Sequence, residues 1–361
     1  MKKSVLFLAF LLFTSIVSAQ KKPNIVLIMA DDMCFSDIGC YGSEIPTPNL
    51  DALAAKGVRF TQFYNSARCS PTRAALLTGL HPHQSGMGHL ATGNAEVKEA
   101  QPGYLGYLNN NCITIAEALK TVGYSTYIAG KWHLGNKVES TWPLQRGFDR
   151  FYGILAGATY FAPTAPLALT LDNQQLPKPD NPDYYTTDAY TDFAIKTVQE
   201  HDAKNPFFLY LAFNAPHWPL QARKKDIGLF MGKYKKGWDI MREERFAKQK
   251  KLGIFDKSAK LSARDEKVRS WDSLSIQEQN DVAYRMSIYA AQVYRLDFNV
   301  GRLVAALKSK GELDNTLIVF LSDNGGCAEP YKELGGGLQD QINNSRAKRT
   351  CFLWCWLGKF I

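Results

Sequence analysis

The stretch Asn24-Ile25-Val26-Leu27-Ile28-Met29-Ala30-Asp31-Asp32 decides the fold class. Its almost unbroken apolar run lacks the in-out alternation of a half-solvated strand and predicts a strand buried on both faces, as in a parallel sheet. The run stops at two carboxylates, at the carboxyl end of the strand, where open α/β sheets place their ligands.

Outward from this strand the pattern alternates. Thr47 to Gly57 reads as a helix, with Pro48 in its first turn and Gly57 at its stop. Val58 to Tyr64 is expected to be the next strand, delivering the chain to Cys69. Ile113 to Val122 predicts a helix stopped by Gly123, and Tyr124 to Ala129 a strand running into Gly130-Lys131-Trp132-His133. Residues 135–205, rich in Pro, Asn and Asp, are expected to be irregular loops around a pocket. Pro206 to Phe213 is a further strand, ending at Asn214-Ala215-Pro216-His217. Residues 221–272 are lysine-rich and read either as an inserted helical lid or as a charged, solvated excursion. Ser275 to Lys310 carries Ala283, Met286, Ala290, Val293, Leu296 and Val300 at helical spacing, then Thr316 to Leu321 forms a strand before Ser322-Asp323-Asn324. This alternation predicts an α/β fold with a mostly parallel sheet between helices.

Cys69-Ser70-Pro71-Thr72-Arg73 precedes the helix formers Ala74-Ala75-Leu76-Leu77. A cysteine at a helix start, with proline in the first turn and arginine one turn along, sits where the helix end favours negative charge. The residues alone fit two readings: a nucleophile facing an anion, or a core cysteine at a helix cap.

With 361 residues, 45% of them hydrophobic and 21% charged, the chain has an ordinary globular composition that supports a large core. The net charge of +9 suits polyanionic substrates but is also common on solvated surfaces, and no nucleic-acid motif accompanies it. Residues 1–19 read as a signal peptide: Lys2-Lys3, an apolar run from Val5 to Val17, then Val17-Ser18-Ala19 before Gln20. The apolar run is shorter than the roughly 20 residues of a spanning helix, so no membrane anchor is expected. The expected location is periplasmic or extracellular. That compartment permits disulfides among Cys34, Cys40, Cys112, Cys327, Cys351 and Cys355, with connectivity open.

The Cys-Ser-Pro-Thr-Arg motif with Leu77-Thr78-Gly79 resembles the signature of the type I sulfatases of the alkaline phosphatase superfamily. Asn24 to Asp32, Gly130-Lys131-Trp132-His133-Leu134-Gly135, Ala215-Pro216-His217 and Ser322-Asp323-Asn324-Gly325-Gly326 follow in the family's order. The resemblance implies an alkaline-phosphatase-like fold and hydrolysis of sulfate esters to alcohol and inorganic sulfate. It implies that Cys69 is converted by a formylglycine-generating maturation enzyme and that the hydrated aldehyde is the nucleophile. It further implies that Arg73 holds the hydrate, Lys131 contacts sulfate, His133 assists release, and His217 serves the leaving group. The substrate is then a sulfated small molecule or carbohydrate.

Asp31, Asp32, Asp323 and Asn324 are oxygen donors in two pairs, each ending a predicted strand, and such donors suit a hard cation, Ca2+ or Mg2+. By resemblance the ion is one Ca2+, bound together with residue 69. The catalytic region is expected over residues 23–330. Beyond it, residues 331–361 turn basic and then aromatic and cysteine-rich, unlike the family. The expectation is a truncated chain, with the tail arising from a frameshift near Asn343. The usual small C-terminal antiparallel domain, the last sheet strands and a further active-site lysine would then be missing. Two alternatives follow: a phosphonate or phosphodiester hydrolase of the same superfamily, or a non-catalytic truncated product.

Overall fold

The computed structural model describes residues 21–91, 101–157 and 169–327. The signal-peptide reading and that of the tail lie outside these residues.

The strands are β1 (Asn24–Asp31), β2 (Ser125–Lys131), β3 (Arg150–Ile154), β4 (Leu169–Leu171), β5 (Gln174–Gln175), β6 (Phe207–Pro216) and β7 (Thr316–Ser322). They form one sheet in the order β5-β4-β3-β2-β6-β1-β7. The pairings β3-β2, β2-β6, β6-β1 and β1-β7 are parallel, and β3-β4 and β4-β5 are antiparallel. The carboxyl ends of β1, β2, β6 and β7 therefore lie at one edge of the sheet. These are the ends that carry Asp31, Lys131, Pro216 and Ser322.

The apolar runs form strands because both sheet faces are covered. All of β6 is buried. On one face, β1 and β6 pack against α4 (Thr186–Glu200) and α7 (Ile276–Ser309) through Tyr190, Ala194, Val198, Ala290, Val293 and Leu296. On the other face, Leu27, Met29, Phe208 and Tyr210 meet α2 (Cys69–Thr78) and α3 (Ile115–Lys120) through Ala74, Leu77 and Ala116. Burying each such Leu, Phe or Val contributes about 1.5–3 kcal/mol, which overrides weak local propensities. Gly130 has φ +113, and a Cβ there would lie 1.9 Å from the Ala212 carbonyl oxygen. Only glycine lets β2 approach β6 this closely, one residue before Lys131.

Three sequence expectations are corrected. Val58 to Tyr64 forms no strand: it joins no strand of the sheet, and Val58 and Tyr64 stand exposed. Residues 135–205 are not merely irregular, because they contribute β3, β4, β5 and α4. In α4, Tyr190, Ala194 and Val198 recur at helical spacing and are buried, a signal overshadowed by the Pro- and Asp-rich residues before it. The lysine-rich segment is not a solvated excursion. It forms α5 (Lys224–Gly228) and α6 (Gly237–Lys251) and buries Phe230, Tyr234, Trp238, Met241 and Trp271 against the core. The helix α1 (Pro48–Lys56) lies where the proline and glycine punctuation places it.

Candidate active site

At the carboxyl edge, β1 ends in Asp31, fully buried, and the chain turns at Asp32 with φ 61. The pairing of β1 with β6 slips between Met29 and Asp31, so that Asp31 meets Pro216 rather than Asn214. That slip carries His217 up to Asp32, with Nε2 3.5 Å from Oδ2. The His217 Nδ1 is 2.6 Å from the Trp218 carbonyl oxygen, which can only accept, so Nδ1 holds a proton and Nε2 faces the site.

From the opposite side α2 brings Cys69 at its first residue, capped by Gly79 at φ 69. The Cys69 Sγ lies 3.8 Å from Asp32 Oδ1. Single ligand atoms of Asp31, Asp32, Cys69 and His217 all fall within 4.8 Å of one another. One turn along α2, the buried Arg73 donates from Nε and Nη2 to Asp323 Oδ2, at 3.0 and 2.7 Å. Its Nη1 donates to the Lys131 carbonyl at 3.0 Å, and its Nη2 stands 3.6 Å from Asp31 Oδ1. Lys131 Nζ donates to Asp31 Oδ2 at 2.6 Å. Asn324 Nδ2 donates to Asp32 Oδ1 at 2.5 Å, and the Asp32 N–H to Asp323 Oδ1 at 3.2 Å.

The electrostatics follow from crowding buried charges. Burial opposes the charge on Asp31, but Lys131, His217 and Arg73 outweigh it and hold the carboxyl well below its usual range. Asp323 goes the other way: burial and the Asp31 carboxylate push it well above, despite Arg73. Asp32 is also raised, by burial and by Asp31. Burial, opposed by Lys131 but helped by the three carboxylates, raises the Cys69 thiol far above its normal value. Residue 69 as cysteine is thus a protonated thiol and a poor nucleophile. Burial and then the charges of Lys131 and Arg73 keep His133 well below the usual imidazole value, hence neutral.

The donor set fits a hard cation. Buried oxygens Asp31 Oδ1 and Asn324 Oδ1 have no hydrogen-bond partner, which is costly unless something else satisfies them. The set is rich in carboxylate and amide oxygens. A cation among them would offset the mutual repulsion that raises Asp32 and Asp323.

The structure thus gathers Asp31, Asp32, Cys69, Arg73, Lys131, His217, Asp323 and Asn324. His133, at φ 58, is half-buried two residues after Lys131, its buried Nδ1 without a hydrogen-bond partner. Sequence reasoning missed Tyr210, whose hydroxyl lies 3.4 Å from Arg73 Nη1 and donates to Met29 Sδ at 3.1 Å. A tyrosine inside an apolar strand run carries no sequence signal of its own. Among the described cysteines, Cys40, Cys69 and Cys112 are outside any disulfide. No described helix is long and apolar enough to cross a membrane.

A helix that starts at Cys69 and points at carboxylates and cations on the carboxyl edge of a parallel sheet marks a hydrolase-like α/β site. Comparison with known proteins places it. The sulfatase family model matches residues 23–356. An uncharacterised sulfatase of Schizosaccharomyces pombe is 38% identical over 322 residues, covering 85% of this chain and 58% of that protein. The arylsulfatase of Klebsiella aerogenes is 38% identical over 315 residues, covering 85% and 67%. The solved structure of Ps i-CgsB in complex with k-i-k-neocarrahexaose superposes with a TM-score of 0.63 at 32% identity, covering 85% of this chain and 59% of that one. The chain belongs to the sulfatase family. It spans about 58% of the first of these relatives.

Proposed function

We propose that this chain carries the catalytic centre of an exported sulfatase that hydrolyses a sulfate ester to an alcohol and inorganic sulfate. The observation that carries the reading is the convergence of Cys69, Asp31, Asp32 and His217 within 4.8 Å, with Arg73 and Lys131 as the buried cations beside them. A sulfated carbohydrate is the favoured substrate class, because Ps i-CgsB, solved with a neocarrahexaose, shares 32% identity.

In this reading Cys69 would be converted to formylglycine, and Asp31, Asp32, Asp323 and Asn324 with residue 69 would hold one Ca2+. The hydrated aldehyde would supply the nucleophilic hydroxyl and a second hydroxyl for release of sulfate, and the ion would supply positive charge to the sulfate. The chain's own residues do the rest. Arg73, fixed by two bonds to one Asp323 oxygen, holds residue 69 and the anion at the helix start. Lys131 is poised to turn part of its charge from Asp31 to sulfate. Neutral His133 can take a proton near residue 69. His217, with Nδ1 tied to Trp218, directs Nε2 at the leaving oxygen and, as the doubly protonated imidazolium, can donate the proton it needs.

The test is the mass of the tryptic peptide Cys69 to Arg73 on protein from its native host, alongside rates on paired sulfate and phosphate esters. A lighter, carbonyl-reactive residue 69 and preferential sulfate turnover support the reading. An unmodified thiol removes the nucleophile, and faster phosphate turnover moves the chain to the phosphodiester or phosphonate branch.

A further inference from the structure

His81 and His83 lie just past the end of α2, on a tight turn outside the site described above. Both are exposed, with Pro82 buried between them. Their Nδ1 atoms are 3.2 Å apart, and their ring centres 4.9 Å, with 18° between the planes. On its other side His83 Nε2 is 2.9 Å from the Tyr104 hydroxyl. We propose that His81 and His83 form a second metal site, a two-imidazole chelate for a divalent transition ion such as Cu2+, Ni2+ or Zn2+.

Three observations carry this. The first is bite. Two nitrogens 3.2 Å apart and each about 2.1 Å from one ion subtend about 100° at it, between square-planar and tetrahedral angles. The ring-centre separation fits two imidazoles inclined to a shared apex, since rings meeting head-on would stand further apart.

The second is rigidity. Gln84 N donates to the His81 carbonyl at 2.8 Å, Ser85 Oγ and Met87 N to that of Pro82 at 2.9 and 2.8 Å. A Cβ on Gly88 would come within 2.6 Å of His83 Cδ2, so the His83 ring occupies room that only a glycine leaves. The chelate geometry exists before any ion arrives, which lowers the ordering cost of binding.

The third is the outer partner. If the Tyr104 hydroxyl accepts from His83 Nε2–H, the Nδ1 lone pair is left for a ligand. This is the orienting role that carboxylates and carbonyls play behind metal-bound histidines. In the metal-free chain that lone pair accepts from His81 Nδ1–H; ion binding needs only a shift of the His81 proton to Nε2. Imidazole donors favour Cu, Ni and Zn over the hard ion suited to the acidic centre, so the two sites sort metals by ligand chemistry.

The experiment is Cu2+ titration of the untagged full chain, first saturated with Ca2+, read by electron paramagnetic resonance. The expected spectrum shows superhyperfine coupling to two equatorial nitrogens. His81→Asn and His83→Asn should each lose the two-nitrogen signature, while Tyr104→Phe keeps it with about tenfold weaker binding. Circular dichroism melts confirm that the variants are folded. A wild-type spectrum without two nitrogen couplings overturns the proposal, as does a spectrum and affinity unchanged in the His81→Asn/His83→Asn double variant.

Discussion

Arg73 and Asp323 stand 250 positions apart in the chain, yet two guanidinium nitrogens share one carboxylate oxygen, at 3.0 and 2.7 Å, with both side chains fully buried. This pair staples α2, the helix that starts at Cys69, to the end of β7. Burying two charges costs several kcal/mol, so the pair persists because each partner satisfies the other. Arg73→Ala leaves Asp323 without its guanidinium partner, while Asp31 keeps Lys131, and is expected to cost about 3–5 kcal/mol of unfolding free energy, measured by denaturant titration. Arg73→Lys keeps the charge but cannot reproduce the fork. It should recover part of the stability and little of the turnover.

Cys69→Ala separates chemistry from fold. The side chain is small and makes one long contact to Asp32, so unfolding free energy should stay within about 1 kcal/mol of wild type. Sulfate-ester turnover should vanish. Residual activity of wild-type size would mean that residue 69 is not the nucleophile.

His217→Asn should remove the proton donor to the leaving group and lower kcat by roughly 10²–10⁴-fold. The loss should be largest for alkyl sulfates and smallest for aryl sulfates with acidic phenols, because a good leaving group needs no proton. Equal losses across such a series would assign His217 a binding role instead.

Adding Ca2+ to chelator-treated protein should stabilise the fold, by about 2.7 kcal/mol at a free concentration one hundred times Kd. The orphaned oxygens of Asp31 and Asn324 motivate this. Asp32→Asn should blunt the response, as seen by calorimetry. A melting temperature indifferent to Ca2+ in the wild type would remove the cation from this site.

Much of this architecture is legible in the chain because strands buried on both faces announce themselves: β1 and β6 are continuous apolar runs, and β7 is equally apolar although Leu317 and Val319 stand exposed at the sheet edge. The pairs Asp31-Asp32 and Asp323-Asn324 stand out because each closes such a run. What eludes a linear reading depends on partners distant in sequence. Val58 to Tyr64 has strand composition but packs against neither face of the sheet, and Val58, Phe60, Phe63 and Tyr64 stay exposed. Conversely Arg245 reads as one more surface charge of a basic helix, yet it is buried on Asp37 and Glu44. The β1–β6 slip that aligns His217 with Asp32 is likewise invisible in sequence, since it is a property of two strands together.

Asp188 offers a pH test remote from the acidic centre. It starts α4 and accepts from Arg295 Nε at 2.7 Å, Arg223 Nε at 2.9 Å and Asn299 Nδ2 at 2.7 Å, tying α4 to α7. Burial pushes its carboxyl upward, but these donors outweigh burial and hold it below the ordinary value. A lowered folded-state value means that the unfolded chain binds the proton more tightly. The stabilisation is therefore complete above the unfolded value, about 3.9, and is lost as pH falls through the lower folded one. Asp188→Asn should destabilise the chain at neutral pH and flatten the acid limb of its stability profile, because the residue no longer titrates. Denaturant midpoints taken from neutral pH down through the carboxylate range check this. Parallel curves for the two proteins would show that Asp188 titrates alike in both states and that its arginine contacts contribute no net stability.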